Sequence, residues 1–246
     1  MTTDSTTGRP DVTLRLPPGQ RAVDGFPRFG THLHRPPPAV PADPAIEIRG
    51  AVATPFAVPV RDLALLPRRE LTADFHCVAG WSATNLRWEG VAFETFYRTV
   101  IEPSLQPDTA VTHVVFRGLD GYRSVVLLED ALADDVLVAD RLDGSPLDAD
   151  HGAPVRLVSP SQYGFISTKH LCRIELYTAE PSERYHPNPI MQLGLELVKP
   201  HRRAGVWREE RHRYLPAWSV RRFYRLLIAP IRSASARGSL HREREK

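Results

Sequence analysis

At 246 residues, with 42% hydrophobic and 25% charged residues, the chain is long enough for one large domain or two small ones, and its composition excludes a disordered or fibrous protein. Two cysteines, Cys77 and Cys172, cannot build a disulfide framework; a single bridge or two free thiols are the options, and the second suits a reducing compartment better. The net charge of +3 hides an asymmetry, since residues 201–246 carry 13 Lys and Arg against 4 acids while residues 1–200 carry 19 against 25, which argues against a nucleic-acid-binding body.

The first residues, MTTDSTTGRPDVTL, form no apolar export signal, and no apolar run reaches membrane-spanning length, so a cytoplasmic, soluble protein is expected. Residues 1–44 hold nine of the 23 prolines, which suits an extended arm lying across a folded body. Near Ala45 the text changes: AIEIRGAV alternates as a strand does, and LALLPRREL is too short and proline-broken for more than a helical turn. In VAFETFYRTVIEP the residues Phe93, Phe96, Tyr97, Val100 and Ile101 recur at helical spacing, predicting an amphipathic helix that ends near Pro103. THVVFRG, YRSVVLL, VLVADRL, PVRLVSP and HLCRIELYT follow as β-branched runs separated by turn signals. Few helices and many strands predict an α+β fold. EPSERYHPNP reads as loop, IMQLGLELV as a short helix, and SVRRFYRLLIAPI as a basic amphipathic helix.

Three separated segments carry the chemistry. DFHCVAGWS (74–82), GLDGYRSVVLLEDAL (118–132) and RLDGSPLDADHGAPVRLVSPSQYGFISTKHLCRIEL (141–176), in that order and spacing, resemble the molybdopterin-binding catalytic domain of the sulfite oxidase family. The resemblance runs from about Phe29 to Leu176 and implies a sulfite-oxidase-type mixed, β-rich fold. It also implies a molybdenum–molybdopterin cofactor, with Cys77 as the one protein ligand of the metal. A thiolate is soft enough to complete a sulfur-rich coordination face, which agrees with that assignment. By family position Tyr122 would stand beside the metal, and a buried tyrosine at a strand start is the competing reading. His151 would bond the pterin. Arg156, Ser167, Thr168 and Lys169 would hold its phosphate, through a planar fork, two hydroxyls and a point charge. In FGTHLHRPPP, Phe29 and His34 fall in register with cofactor-contacting positions. His32 stands where sulfite-oxidising members carry an arginine, and a mostly neutral histidine is a weaker hook for an oxyanion.

These residues imply an oxidoreductase moving an oxygen atom, with two electrons, to or from a small S- or N-oxide or oxyanion-type substrate. Its electrons would pass to or from a separate partner protein. The expected organisation is a proline-rich arm over 1–27, a catalytic domain over 28–218 and a basic tail over 219–246. Three alternatives compete. His32, His34 and Cys77 would serve as zinc ligands, or Cys77 as a nucleophile with His76 or His151 as base. A non-catalytic binding protein would use the basic tail instead, on a membrane or an acidic partner. On an extended segment His76 and Cys77 point to opposite faces, which makes His76 a poor base.

Overall fold

In a computed structural model the described residues are 15–30, 34–182, 193–194 and 196–244, without the side chains of 241–244. The loop EPSERYHPNP lies largely outside them, as does His32; of the expected helix IMQLGLELV, residues 193–194 and 196–197 are described and helical.

Strands dominate. They are β1 (Arg21–Ala22), β2 (Ala45–Gly50), β3 (Phe56–Pro59), β4 (Arg68–His76), β5 (Trp81–Ala92) and β6 (His113–Gly118). After them come β7 (Arg123–Leu127), β8 (Leu137–Leu142), β9 (Ser145–Pro146), β10 (Arg156–Val158) and β11 (Leu171–Tyr177). The helices include α1 (Phe93–Phe96), which continues through wider and tighter turns to Ser104, α2 (Leu128–Ala131) and the long α3 (Ala217–Arg244), besides a tight helical turn over Val60–Leu65. The chain is thus the α+β, strand-rich fold with few helices that the sequence predicts.

Two mixed sheets form the body. One runs β1-β5-β8-β10, with β4 added to β5 and β9 to β8; the other runs β3-β2-β11-β6-β7. Two apolar clusters form the core, the larger drawing on strands of both sheets. The larger packs Ile46 and Ile48 of β2, Phe116 of β6 and Ile174 of β11 under the α1 residues Phe93 and Phe96. All six are fully buried, and each such side chain contributes roughly 1.5–3 kcal/mol. The helical spacing in VAFETFYRTVIEP is therefore the signature of a helix laid on a sheet.

The smaller cluster gathers Cys77, Trp81, Ala83, Leu86 and Trp88 of the β4–β5 hairpin with Leu137 and Ala139 of β8. This hairpin is the longest paired unit in the molecule, yet no strand was expected there. LTADFH and SATNLRWEG mix polar and apolar residues unevenly, because a register shift between Ala73 and Phe75 breaks the alternation on which a strand is recognised.

The two chain ends pack onto this second cluster. Val23, Phe26 and Phe29 come from the arm and Tyr224 and Ile228 from α3. Arg28 of the arm donates to the Ser235 carbonyl at 3.3 Å and forms an ion pair with Asp150 at 3.4 Å. At Gly238 a Cβ would sit 2.5 Å from the Arg35 carbonyl oxygen, so only glycine lets arm and helix approach this closely. The basic segment after 219 is accordingly the continuation of a helix that begins at Ala217 and rests on the body.

Candidate active site

Cys77 opens the turn that joins β4 to β5. Its N–H donates to the Trp81 carbonyl at 2.8 Å and its carbonyl accepts from Gly80 N–H at 2.9 Å. Two further side chains hold the turn from outside. Gln20 Nε2 donates to the Cys77 carbonyl at 3.1 Å and Gln20 Oε1 accepts from Ser82 Oγ at 3.1 Å, while Ser82 in turn bonds His76 Nδ1 at 2.8 Å. Arg211 donates to the Val78 carbonyl and lies over the Tyr163 ring at 5.1 Å. Sequence reading assigned no role to Gln20 or Arg211. Their only signal was two polar residues in otherwise unremarkable flanks, and nothing local shows that the flanks converge on Cys77.

Cys77 lines a cavity of about 480 Å³, within the range of small-molecule sites. Its walls combine Phe26, Phe29, Phe75 and Trp81 with Tyr122, Arg156, Ser167 and Lys169, and α3 closes one side with Tyr224, Leu227 and Ile231. Cys77, the two cations and Tyr122, separated by up to 92 residues in sequence, therefore line one space.

The electrostatics of that space are unbalanced. Arg156 is fully buried and donates only to carbonyls, of Leu157 at 3.3 Å, His151 at 2.9 Å and Ser167 at 3.2 Å. Its guanidinium lies 5.1 Å from the Trp88 ring centre and 5.6 Å from that of Phe75, contacts that partly replace hydration. Burial draws its pKa down to about 9. Lys169 donates to the Asp150 carbonyl at 2.6 Å, and burial, reinforced by Arg156 and Arg28, brings its pKa down to about 7. Among the described residues neither Arg156 nor Lys169 forms an ion pair with a carboxylate. Two buried cations facing one cavity call for an anion between them.

The other expected residues fall in different places. Phe29 packs edge-on against Trp81 with centroids 5.5 Å apart. Tyr122 lines the cavity and donates its hydroxyl to the Phe165 carbonyl at 2.6 Å. Ser167 lines the cavity too, its Oγ accepting from Ser159 N–H at 3.1 Å. Thr168 is buried behind the wall and tied to Ser124 Oγ at 2.7 Å. His151 bonds Asp148 at 2.8 Å through Nδ1 and the Phe26 carbonyl at 2.8 Å through Nε2, and stacks on Phe26. Both its ring nitrogens are engaged, so it braces the arm and, through its carbonyl, Arg156. The Asp148 carboxyl is held down to about 2, first by the bond from His151. His34 is exposed and takes no part in the cavity wall.

Burial pushes the Cys77 thiol up to about 12, against the pull of the Ala79 N–H, Arg211 and Lys169. A thiol so placed keeps its proton in neutral water and is a poor nucleophile on its own. It becomes a thiolate when a metal takes the proton's place. Among the described residues no group of three or more His, Cys, Asp or Glu side chains comes together as a metal cluster.

A resident group with one open metal coordination position and an anionic tail fits this cavity. The fit rests on Cys77 in the wall, on the two buried cations that form no ion pair among the described residues, and on Trp81 Nε1, which is buried in the same wall with no hydrogen-bond partner among the described residues.

Comparison with known proteins agrees. Residues 33–185 match the model of the oxidoreductase molybdopterin binding domain. The chain is 28% identical over 209 residues to the uncharacterized oxidoreductase YuiH of Bacillus subtilis, covering 83% of this chain and 96% of that one. It is 30% identical over 154 residues to the protein-methionine-sulfoxide reductase catalytic subunit MsrP of Gluconobacter oxydans, covering 55% of this chain and 47% of MsrP, so it spans about half of that relative. Among solved structures it is similar to the sulfane dehydrogenase SoxCD of Paracoccus pantotrophus, with a TM-score of 0.48 and 23% identity over 55% of this chain and 38% of that one. The chain belongs to the molybdopterin-binding oxidoreductase family.

Proposed function

We propose that this oxidoreductase transfers an oxygen atom, with two electrons, to or from a small uncharged S- or N-oxide. The observation that carries the reading is the single cavity lined by Cys77 together with the buried Arg156 and Lys169. A bound molybdenum–molybdopterin cofactor would supply the two-electron and oxygen-transfer chemistry.

Cys77 would ligate the metal, releasing its thiol proton. Arg156 and Lys169 would hold the phosphate, Arg156 bidentately and Lys169 as a point charge drawn back to full protonation by the anion. Ser167 would contribute its hydroxyl, with Thr168 fixing the strand behind it. His151 would act through Phe26 and Arg156. Tyr122 would orient the substrate oxygen only by giving up its bond to Phe165. The cations being committed to the cofactor, the wall left to a substrate includes the apolar Phe26, Phe29, Val78, Leu227 and Ile231 and the acidic Asp120, which together accept an uncharged oxide at less cost than an oxyanion. Electrons would be exchanged with a separate partner protein.

Holoenzyme assayed with reduced viologen as artificial donor should turn over dimethyl sulfoxide or trimethylamine N-oxide, and with an artificial acceptor should oxidise sulfite at least tenfold less efficiently in kcat/KM. Sulfite oxidation as the faster reaction would reject the uncharged-oxide assignment.

A further inference from the structure

Helix α3 has two different faces. The inner one carries Tyr224, Leu227 and Ile231 into the cavity wall and buries Ser235 and Gly238 against the arm. The outer one is solvent-facing and carries Trp218, Phe223, Leu226 and Leu240, with Trp218 75% and Leu226 76% exposed. Arg222, Arg225, Arg232 and Arg237 alternate with them on that exposed side, and no acidic residue occurs from Ala217 to His241. Unpaired apolar side chains that large are costly in water and ordinarily mark a contact surface.

We propose that the outer face of α3 lies on an anionic membrane surface. Three features favour a lipid bilayer over an acidic protein. The apolar side chains are strung along the helix from 218 to 240, roughly 33 Å at the helical rise, whereas protein hot spots cluster at a centre. Trp and Phe between arginines suit a boundary where rings sit at headgroup level and guanidinium groups reach phosphates. The basic face with no acid in it is complementary to a negatively charged leaflet. No helix among the described residues is long and apolar enough to cross a membrane, so α3 lies on the surface. Because the inner face of the same helix walls the cavity, docking would hold the cavity about one helix thickness, roughly 10 Å, from the headgroups.

The test is co-sedimentation of the full-length protein with vesicles of phosphatidylcholine alone and of phosphatidylcholine mixed with phosphatidylglycerol. Pelleting with the mixed vesicles only is expected, weakening as salt is raised. Each of Arg222→Gln, Arg225→Gln and Arg232→Gln should lower the partition coefficient about fivefold, and the corresponding lysine variants should retain binding. Trp218→Ala with Leu226→Ala should lower it at least tenfold. All these side chains point away from the body, so the fold is preserved, and the readout does not depend on the metal or on turnover. Equal partition onto neutral and anionic vesicles, indifference to the glutamine variants, or no pelleting with either would overturn the proposal.

Discussion

Lys169 has the most informative titration in the molecule. Its ordinary value of 10.5 falls to about 7 on burial, so between those limits the folded chain holds fewer protons than the unfolded one and stability rises with pH, at up to about 1.4 kcal/mol per pH unit. The window from pH 7 to 9 is the clean one. Above 9 the buried Cys77 thiol, which keeps its proton to about 12 when folded, opposes the trend. Metal-free protein is therefore expected to melt at higher temperature at pH 9 than at pH 7, Lys169→Met to flatten that slope, and loading of the cofactor to flatten it as well, since the phosphate restores the lysine's charge. Thermal melting at both pH values checks each arm. Arg211 gives a second expectation at this scale. Its positive charge beside Cys77 should favour the reduced metal, so Arg211→Met should lower the midpoint potential of the loaded enzyme and Arg211→Lys should largely preserve it, as read by redox titration. Cys77, Arg156 and Lys169, which the structure brings into one cavity wall, were legible because they sit in recognisable motifs. Gln20 and Arg211 were invisible because each holds the turn through a backbone carbonyl, of Cys77 and Val78, and such bonds leave no trace in side-chain pattern.

The β4–β5 hairpin and α3 are where sequence reading and structure differ most. The hairpin was missed because a bulge interrupts its alternation beside Phe75, a β4 residue packed both by Trp81 of β5 and by a loop residue, Gly164. A Cβ at Gly164 would lie 2.2 Å from the Phe75 ring. Gly164→Ala should therefore cost about 1–3 kcal/mol by overpacking, with Phe75→Leu restoring part of it in a denaturation double-mutant cycle. For α3 the amphipathic spacing was legible, but its length and its role as a cavity wall were not, since both depend on tertiary contacts. Asp150 ties them together, accepting from Ser239 of α3 at 2.9 Å, pairing with Arg28 of the arm at 3.4 Å and holding Lys169 through its carbonyl. Asp150→Ala should increase hydrogen exchange across 217–240 while leaving the two sheets protected.

At the scale of the whole molecule, the family match ends at 185, whereas the cavity does not. The arm supplies Phe26 and Phe29, α3 supplies Tyr224, Leu227 and Ile231, and the flanking Gln20 and Arg211 steady the cysteine turn. Composition correctly suggested that the basicity belongs to one end. It gave no hint that this end covers the site, because charge counts carry no information about which face of a helix is turned inward. The most direct measurement is the molybdenum and pterin content of protein purified from a host that makes molybdopterin. Equimolar metal and pterin in the wild type, with metal sharply reduced in Cys77→Ser and pterin reduced in Arg156→Met, is the expected result. Wild-type protein free of both, or Cys77→Ser with undiminished molybdenum, would contradict the assignment of this cavity.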